Sequence, residues 1–186
     1  MKQFLLIPIF FMLCTGIMAQ DTLSQKEVKK EASVKKKQRK EAEAERKFKE
    51  AGQLLETRHF ILQAKFIKNR EGSRISVNPL LNFIQIDSNQ AFLQIGFYQF
   101  VGPNQAGGIS ADGRITRWKL EKSDKRKTYT LFMSVITNRG NIDIFMDINQ
   151  NSYATATLSG ITSARLTYDG DLLPTDKSDV HKGWTP

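Results

Sequence analysis

The stretch AFLQIGFYQFVGPNQAGGISADGRITRWKL, residues 91–120, decides the fold. Its two ends, residues 91–97 and 114–122, are rich in apolar and β-favouring side chains and have the pattern of β-strands. A long glycine-rich segment, residues 102–113, separates them. We therefore predict a hairpin with a long loop, and we expect the rest of the chain to lead into it or to add strands beyond it.

The sequence on both sides of this hairpin has the same character. Short apolar segments alternate with turns rich in Asn, Asp, Ser and Gly. This spacing predicts a mainly β fold, an antiparallel meander of about eight strands that forms a sandwich or a partly open barrel. Residues 68–78 are expected to form a polar loop. The predicted strands cover residues 58–67, 81–86, 91–97, 114–122, 128–137, 142–148, 153–159 and 164–169.

One helix is predicted before the first strand. Ala44, Phe48, Ala51 and Leu55 recur at intervals of four, three and four residues, which places them along one side of a helix. We expect this apolar stripe to dock on the sheet. The Lys- and Glu-rich residues before it are expected to stay in solvent.

The first residues, MKQFLLIPIFFMLCTGIMAQ, have the features of a secretory signal peptide. Lys2 precedes a nearly apolar segment, residues 4–18, which is shorter than the ~20 residues that a transmembrane helix needs. Cleavage is expected after Ala19. It removes Cys14, the sole cysteine, so neither a disulfide nor thiolate chemistry is expected. The expected location is therefore the periplasm or the cell envelope.

These patterns divide the chain into four segments. The signal peptide covers residues 1–19, and a charged linker that is helical or disordered covers residues 20–47. The β-rich domain with its leading helix covers residues 48–174, and a flexible tail covers residues 175–186.

Several short segments together resemble a family of uncharacterised exported bacterial domains from anaerobic gut bacteria. They are AGQLLE at residues 51–56, FILQA at 60–64, PLLNFIQI at 79–86, AFLQ at 91–94 with the glycine loop after it, and ARLTYDG at 164–170. The resemblance spans residues 48–174. It implies an exported β-rich domain behind a helix, and it implies no reaction.

The charge of the chain is strongly basic, with a formal net value of +9. Lys35, Lys36, Lys37, Arg39 and Lys40 form its densest basic run. The run predicts a solvated helix face or, as the alternative, a weak contact with an anionic membrane surface. Nucleic acid is not an expected partner, because no aromatic side chains for base stacking are interleaved in the run.

The pattern of titratable residues does not predict an enzyme. The chain has two histidines, His59 at the start of a predicted strand and His181 in the tail, and no motif of a metal site or a nucleophile elbow. Asp143 and Asp147 share a strand face but lie roughly 13 Å apart along it, too far to act on one substrate atom. No catalytic residue, metal site or cofactor is therefore predicted, and a hydrolase that depends on His59 is the remote alternative.

The glycine loop is the predicted contact site. It lacks the ending of a phosphate-binding loop, and it joins two strands. Long loops in compact domains are often functional, so a binding loop and a plain connection both remain open. We predict a non-catalytic envelope domain that binds a partner protein or a surface glycan; the alternative is a carrier of a small apolar or amphipathic ligand in a β-cup. The candidate contact residues are Tyr98, Phe100, Asn104, Gln105, Asp112 and Trp118.

Overall fold

The structure is a computed structural model that describes residues 18–96, 108–160 and 165–183, with side chains from residue 25 onward. The predicted signal peptide and Cys14 lie outside the described residues, apart from the two residues before the expected cleavage. The elements are α1 (Met18–Thr57), β1 (His59–Lys68), β2 (Arg74–Ser76), β3 (Phe83–Asp87), β4 (Gln90–Ile95), β5 (Ile109–Ser123), β6 (Thr128–Thr137), β7 (Gly140–Ile148), β8 (Tyr153–Ser159), β9 (Leu166–Pro174) and a 3-10 turn at Thr175–Lys177.

The chain divides into two compact units after Ala42. The described part of the first unit is α1 up to Ala42, and its described side chains, from residue 25 to residue 42, are all exposed. Among the described residues, no helix is both long enough and apolar enough to cross a membrane. The second unit begins with the last turns of α1 and contains every strand.

The strands of the second unit form one antiparallel sheet in the order β2-β1-β3-β4-β5-β6-β7-β8-β9. β1 also pairs with β9, from Phe60 opposite Pro174 to Lys68 opposite Thr167, so that eight strands close into a barrel. β2 pairs with the end of β1 beyond the point where β3 pairs with it. The predicted class, mainly β with a meander behind one helix, is confirmed, and the closure is that of a barrel.

Alternate residues of most strands fill the barrel. In β7, Ile142, Ile144, Met146 and Ile148 are fully buried, while the residues between them are exposed. This period of two is the geometry of a pleated strand with one face toward a core. β1 departs from it, because Phe60, Ile61 and Leu62 are all fully buried. Part of this strand is therefore covered on both sides.

The last turns of α1 close one end of the barrel, which we call the helix end. Phe48, Ala51 and Leu55 are buried, and the Phe48 ring stacks on Tyr129 at the start of β6 with 4.6 Å between centroids. The predicted apolar stripe is confirmed for these three residues. Gly52 lies so close to Tyr129 that a Cβ there would overlap the phenol oxygen. The opposite end, where β1 and β4 finish and β5 and β9 begin, we call the open end.

Three predicted boundaries are wrong. β2 lies within residues 68–78, which were predicted to be a loop, because contacts with β1 hold this three-residue strand. β5 begins at Ile109 and not at Arg114, since the small residues Ser110, Ala111 and Gly113 pair with β4 despite their low strand propensity. β9 continues to Pro174 and not to Asp169, because β1 pairs with it along that whole length.

β5 contains one irregularity in its pairing. Strict alternation along β5 would place Ile115 and Trp118 on different faces of the sheet, but the register of β5 on β6 shifts between Ile115 and Arg117. The irregularity turns both Ile115 and Trp118 toward the core. Gly140, which follows the turn between β6 and β7, has a φ of +114°.

Residues 175–183 of the predicted flexible tail have definite partners on the outer face of the barrel. The His181 amide donates to the Leu80 carbonyl at 2.9 Å, and the Gln63 amide group donates to the Ser178 hydroxyl at 3.1 Å. Trp184 lies outside the described residues. The flexibility of this tail stays a prediction that amide exchange can measure.

Candidate functional site

Most of the predicted contact loop cannot be placed. Tyr98, Phe100, Asn104 and Gln105 lie outside the described residues. Asp112 is exposed on β5, opposite Phe92 of β4. Trp118 packs against the core, where the Arg58 guanidinium lies 4.7 Å from its ring. The structure therefore does not bring these last two side chains together.

A cleft lies at the open end of the barrel, and we call it the open-end cleft. Its volume is about 390 Å³, within the range of small-molecule sites. Five of its eight described lining residues are aliphatic, and none of these eight has a titratable side chain. The lining residues are Ile67, Asn69, Ser73, Ile75, Ile95, Gly108, Ile109 and Leu166.

Two paired strand ends form one wall of the open-end cleft. Ile95 of β4 lies opposite Ile109 of β5. Gly108 lets the chains approach closely here, because a Cβ on it would overlap the Ile95 carbonyl oxygen. The side chain of Asn82 holds the residue after β4, since its amide donates to the Gly96 carbonyl at 2.9 Å and its oxygen accepts the Gly96 amide at 3.0 Å. This wall is therefore fixed by backbone pairing and a buried amide.

β2 and the turn before it form another part of the cleft. The turn is closed by the Ser73 amide, which donates to Asn69 Oδ1 at 2.8 Å. The two polar lining residues thus already bond each other. Ile75 of β2 is 48% exposed and places apolar surface at the edge of the cleft.

One buried carboxylate tethers β2 to the barrel. Asp169 of β9 is 4% exposed and accepts hydrogen bonds from Lys68 Nζ at 2.7 Å and from Thr155 Oγ1 at 2.8 Å. Arg74 of β2 lies 3.8 Å from the same carboxylate and 3.5 Å above the Phe66 ring. Backbone pairing of β2 with β1 spans only three residues. The cation–π and charge contacts of Arg74 therefore help to hold β2 in place.

A second buried polar cluster anchors the tail beside β4. Gln94 is fully buried, and its amide nitrogen donates to the carbonyls of Leu81 at 3.1 Å and His181 at 2.7 Å. Its side-chain oxygen accepts bonds from the Ser110 hydroxyl at 3.2 Å and the Gly183 amide at 2.6 Å. All four bonding positions of this amide are thus used.

The residues considered for catalysis are dispersed. His59 and Asp87 form an exposed pair at the helix end, with 3.0 Å between Nδ1 and Oδ1. Asp143 and Asp147 accept hydrogen bonds from Ser134 and Thr130 across the outer face of the barrel. Among the described residues, no three His, Cys, Asp or Glu side chains are grouped as metal ligands would be.

An aromatic pair on the outer face of the barrel has one exposed and one half-buried member, Phe145 and Phe132. Phe132 of β6 is directly opposite Phe145 of β7, and Phe145 is 46% exposed. The Arg117 guanidinium lies 5.9 Å from the Phe132 ring. The pair is an apolar surface beside a cation, well away in sequence from the predicted contact loop.

The open-end cleft was missed by sequence reasoning. Its walls come from strand ends, and Ile75 belongs to a segment whose polar composition predicted a loop. The alternation of Ile75 with Val77 is the local signal that could have marked a short strand there.

Comparison with known proteins places the chain in a family without assigning it a function. No curated protein matches it. It is similar to a protein of known structure from Bacteroides eggerthii, described as a DUF4251 family protein and solved at 1.95 Å resolution. The sequences are 27% identical, the match covers 73% of this chain and 92% of that one, and the TM-score is 0.59. The model of the domain of unknown function DUF4251 matches residues 42–172, and the chain therefore belongs to that family.

Proposed function

We propose that this protein is a non-catalytic binding protein that holds a small apolar or amphipathic molecule in the open-end cleft. The observation that carries the proposal is the cleft itself, about 390 Å³ of space with walls of isoleucine and leucine. Burial of apolar ligand surface against such walls is favourable by about 25 cal/mol per Å². None of the eight described lining residues is titratable, which favours an apolar group over a charged one as the part of the ligand that enters.

The filled core limits how far a ligand can enter. Leu131, Met133 and Tyr168 are fully buried inside the barrel. A bound molecule would therefore occupy the open end and would not pass through the barrel. This favours a short chain or a single ring over a long lipid that is enclosed along its length.

The test is the binding of 11-(dansylamino)undecanoic acid, whose fluorescence rises in an apolar site. Ile75→Asp places a carboxylate at the edge of the cleft, and its cost of desolvation is expected to weaken binding at least tenfold. Ile136→Asp is the matched control, because Ile136 is 56% exposed on β6 and does not line the cleft. It is expected to leave the affinity unchanged.

The proposal fails if the wild-type protein binds no probe, or if both variants lose binding equally. Unfolding by urea checks that both variants are folded. Native mass spectrometry of freshly purified protein adds an independent readout, since a co-purifying molecule would be expected with the wild-type protein and with Ile136→Asp but not with Ile75→Asp.

Binding of a partner protein or a surface glycan is the second candidate, and exposed Phe145 beside half-buried Phe132 favours it. Exposed apolar surface of this kind is typical of interaction sites. Photo-crosslinkers placed at residue 145 and at residue 136 of the same face would test it in intact cells. One dominant product that requires the residue 145 position supports this function, and equal recovery from both positions excludes it.

A further inference from the structure

The first unit of the chain presents lysines on one side of α1. Successive residues of a helix are about 100° apart around its axis, because a turn contains about 3.6 residues. On this geometry, six exposed lysines fall within an arc of about 120° over residues 25–42, with only Ser33 among them. The six, called the lysine stripe here, are Lys26, Lys29, Lys30, Lys36, Lys37 and Lys40.

The carboxylates of the same segment lie on another side of the helix. Glu27, Glu31 and Glu41 fall outside the arc of the lysine stripe. Lys37 makes a loose ion pair with Glu41, with 3.9 Å between Nζ and Oε1 and both side chains exposed. The stripe therefore keeps most of its charge available. The basic run identified in the sequence is divided by this geometry, because Lys35 and Arg39 fall outside the arc, about 160° and 120° from its middle.

The same segment has no apolar side that could insert into a bilayer. Val28 and Val34 are 63% and 48% exposed, and they point in different directions, both outside the lysine stripe. An interfacial helix that buries itself among acyl chains needs a continuous apolar face. Any contact with a membrane would consequently be electrostatic and at the level of the headgroups.

We propose that the lysine stripe adsorbs on the surface of an anionic phospholipid bilayer. Its ends are separated by about 21 Å along a straight helix, so a flat surface can meet all six side chains together. Lysine is a compact and strongly hydrated charge, which suits loose contact with hydrated headgroups better than bidentate recognition of one phosphate. This inference concerns α1 alone and is independent of the open-end cleft.

The test is the binding of the protein, isolated as the cell processes it, to vesicles of phosphatidylcholine with 30% phosphatidylglycerol. Lys37→Gln/Lys40→Gln removes two charges from the lysine stripe. Lys35→Gln/Arg39→Gln removes two charges from the same segment but outside the arc of the lysine stripe, and is the matched control. Each basic residue near an anionic surface contributes enough that the first variant is expected to bind roughly 10- to 30-fold more weakly. The control is expected to change affinity by no more than about threefold.

Three further measurements keep the result interpretable. Lys37→Arg/Lys40→Arg retains the charge and is expected to restore binding, and circular dichroism checks that every variant is equally helical. Binding is expected to fall steeply as salt rises from 50 to 300 mM, because the charges are exposed.

The proposal is overturned if the two glutamine variants lose binding equally, or if vesicles of phosphatidylcholine alone bind as well. It is also overturned if dextran sulfate binds the protein while the anionic vesicles do not. That result would assign the stripe to a soluble polyanion.

Discussion

Replacement of Gln94 by methionine is expected to destabilise the barrel and to release the tail. Methionine has nearly the same length as glutamine and lacks its hydrogen-bonding groups, so packing changes little while four hydrogen bonds are lost. Two of these bonds reach the tail at His181 and Gly183, and two reach the barrel at Leu81 and Ser110. The variant therefore separates the stability of the barrel from the attachment of the tail.

The expected loss in the free energy of unfolding is about 2 to 3 kcal/mol. A hydrogen bond contributes a net ~0.5 to 1.5 kcal/mol, and a buried group that loses its partner costs about 1 to 3 kcal/mol. Water can replace the bonds to His181, which is exposed, but it cannot easily reach the carbonyl of Leu81, which is 8% exposed. The loss should lower the melting temperature by roughly 5 to 10 °C in a domain of this size.

The assay is urea unfolding with hydrogen exchange measured at the Gly183 amide. Gln90→Met is the control, since Gln90 lies on the same face of β4 and is exposed. We expect the control to stay within about 0.5 kcal/mol of the wild-type protein, as is usual for exposed sites. Exchange at Gly183 should accelerate in Gln94→Met only. Equal stability of the two variants, or unchanged exchange at Gly183, would refute the role assigned to this amide.

Three other perturbations probe the barrel. Gly170→Ala is expected to lower the free energy of unfolding by about 3 kcal/mol or more, because the added Cβ overlaps the Gln63 backbone carbonyl. Gly52→Ala is expected to lower it by about 1 kcal/mol, because the Tyr129 ring that the added Cβ overlaps can move. Urea unfolding of both variants checks this order. Asp169→Asn should lower the free energy of unfolding by about 1 to 3 kcal/mol and weaken binding of the dansyl probe, because it releases the tether of β2. Unaltered binding would show that the cleft does not depend on this tether. Burial raises the pKa of Tyr168, so the folded state holds its phenol proton more tightly than the unfolded chain does. Stability should then be complete below the ordinary tyrosine pKa of about 10 and fall as the pH rises above it, and Tyr168→Phe should show a shallower fall in urea midpoints between pH 8 and 11.

The strands of this barrel could be predicted where burial leaves a period of two in the sequence. β7 is the clearest case, since four fully buried residues alternate with exposed ones. The end of α1 could be predicted equally well, because the buried residues Phe48, Ala51 and Leu55 follow the helical period. In both elements the local pattern and the final environment agree, so a single sequence carries the information.

The cleft could not be predicted, because it depends on contacts between residues that are far apart in sequence. β2 is held by Asp169, which lies 95 residues after Arg74 in the chain. The register of β5 shifts at a point that its own sequence does not mark, and this shift decides where Trp118 points. Which end of the barrel stays open depends on where α1 docks. The lysine stripe of α1, in contrast, follows from the sequence as soon as the segment is known to be a helix.

The construction of the open-end cleft makes its affinity depend on β2. One apolar edge of the cleft is Ile75, on a strand of three residues that is held by the contacts of Arg74 with Phe66 and Asp169. A ligand that packs against Ile75 binds only when β2 is in place, so the tether of β2 favours ligand binding. Because such coupling is reciprocal, the bound ligand stabilises the attachment of β2 by the same free energy. Saturation with the dansyl probe should therefore slow hydrogen exchange at the amides of β2 more than at those of β7, whose core-facing side chains are already fully buried. Exchange that slows equally in both strands would place the probe elsewhere in the barrel.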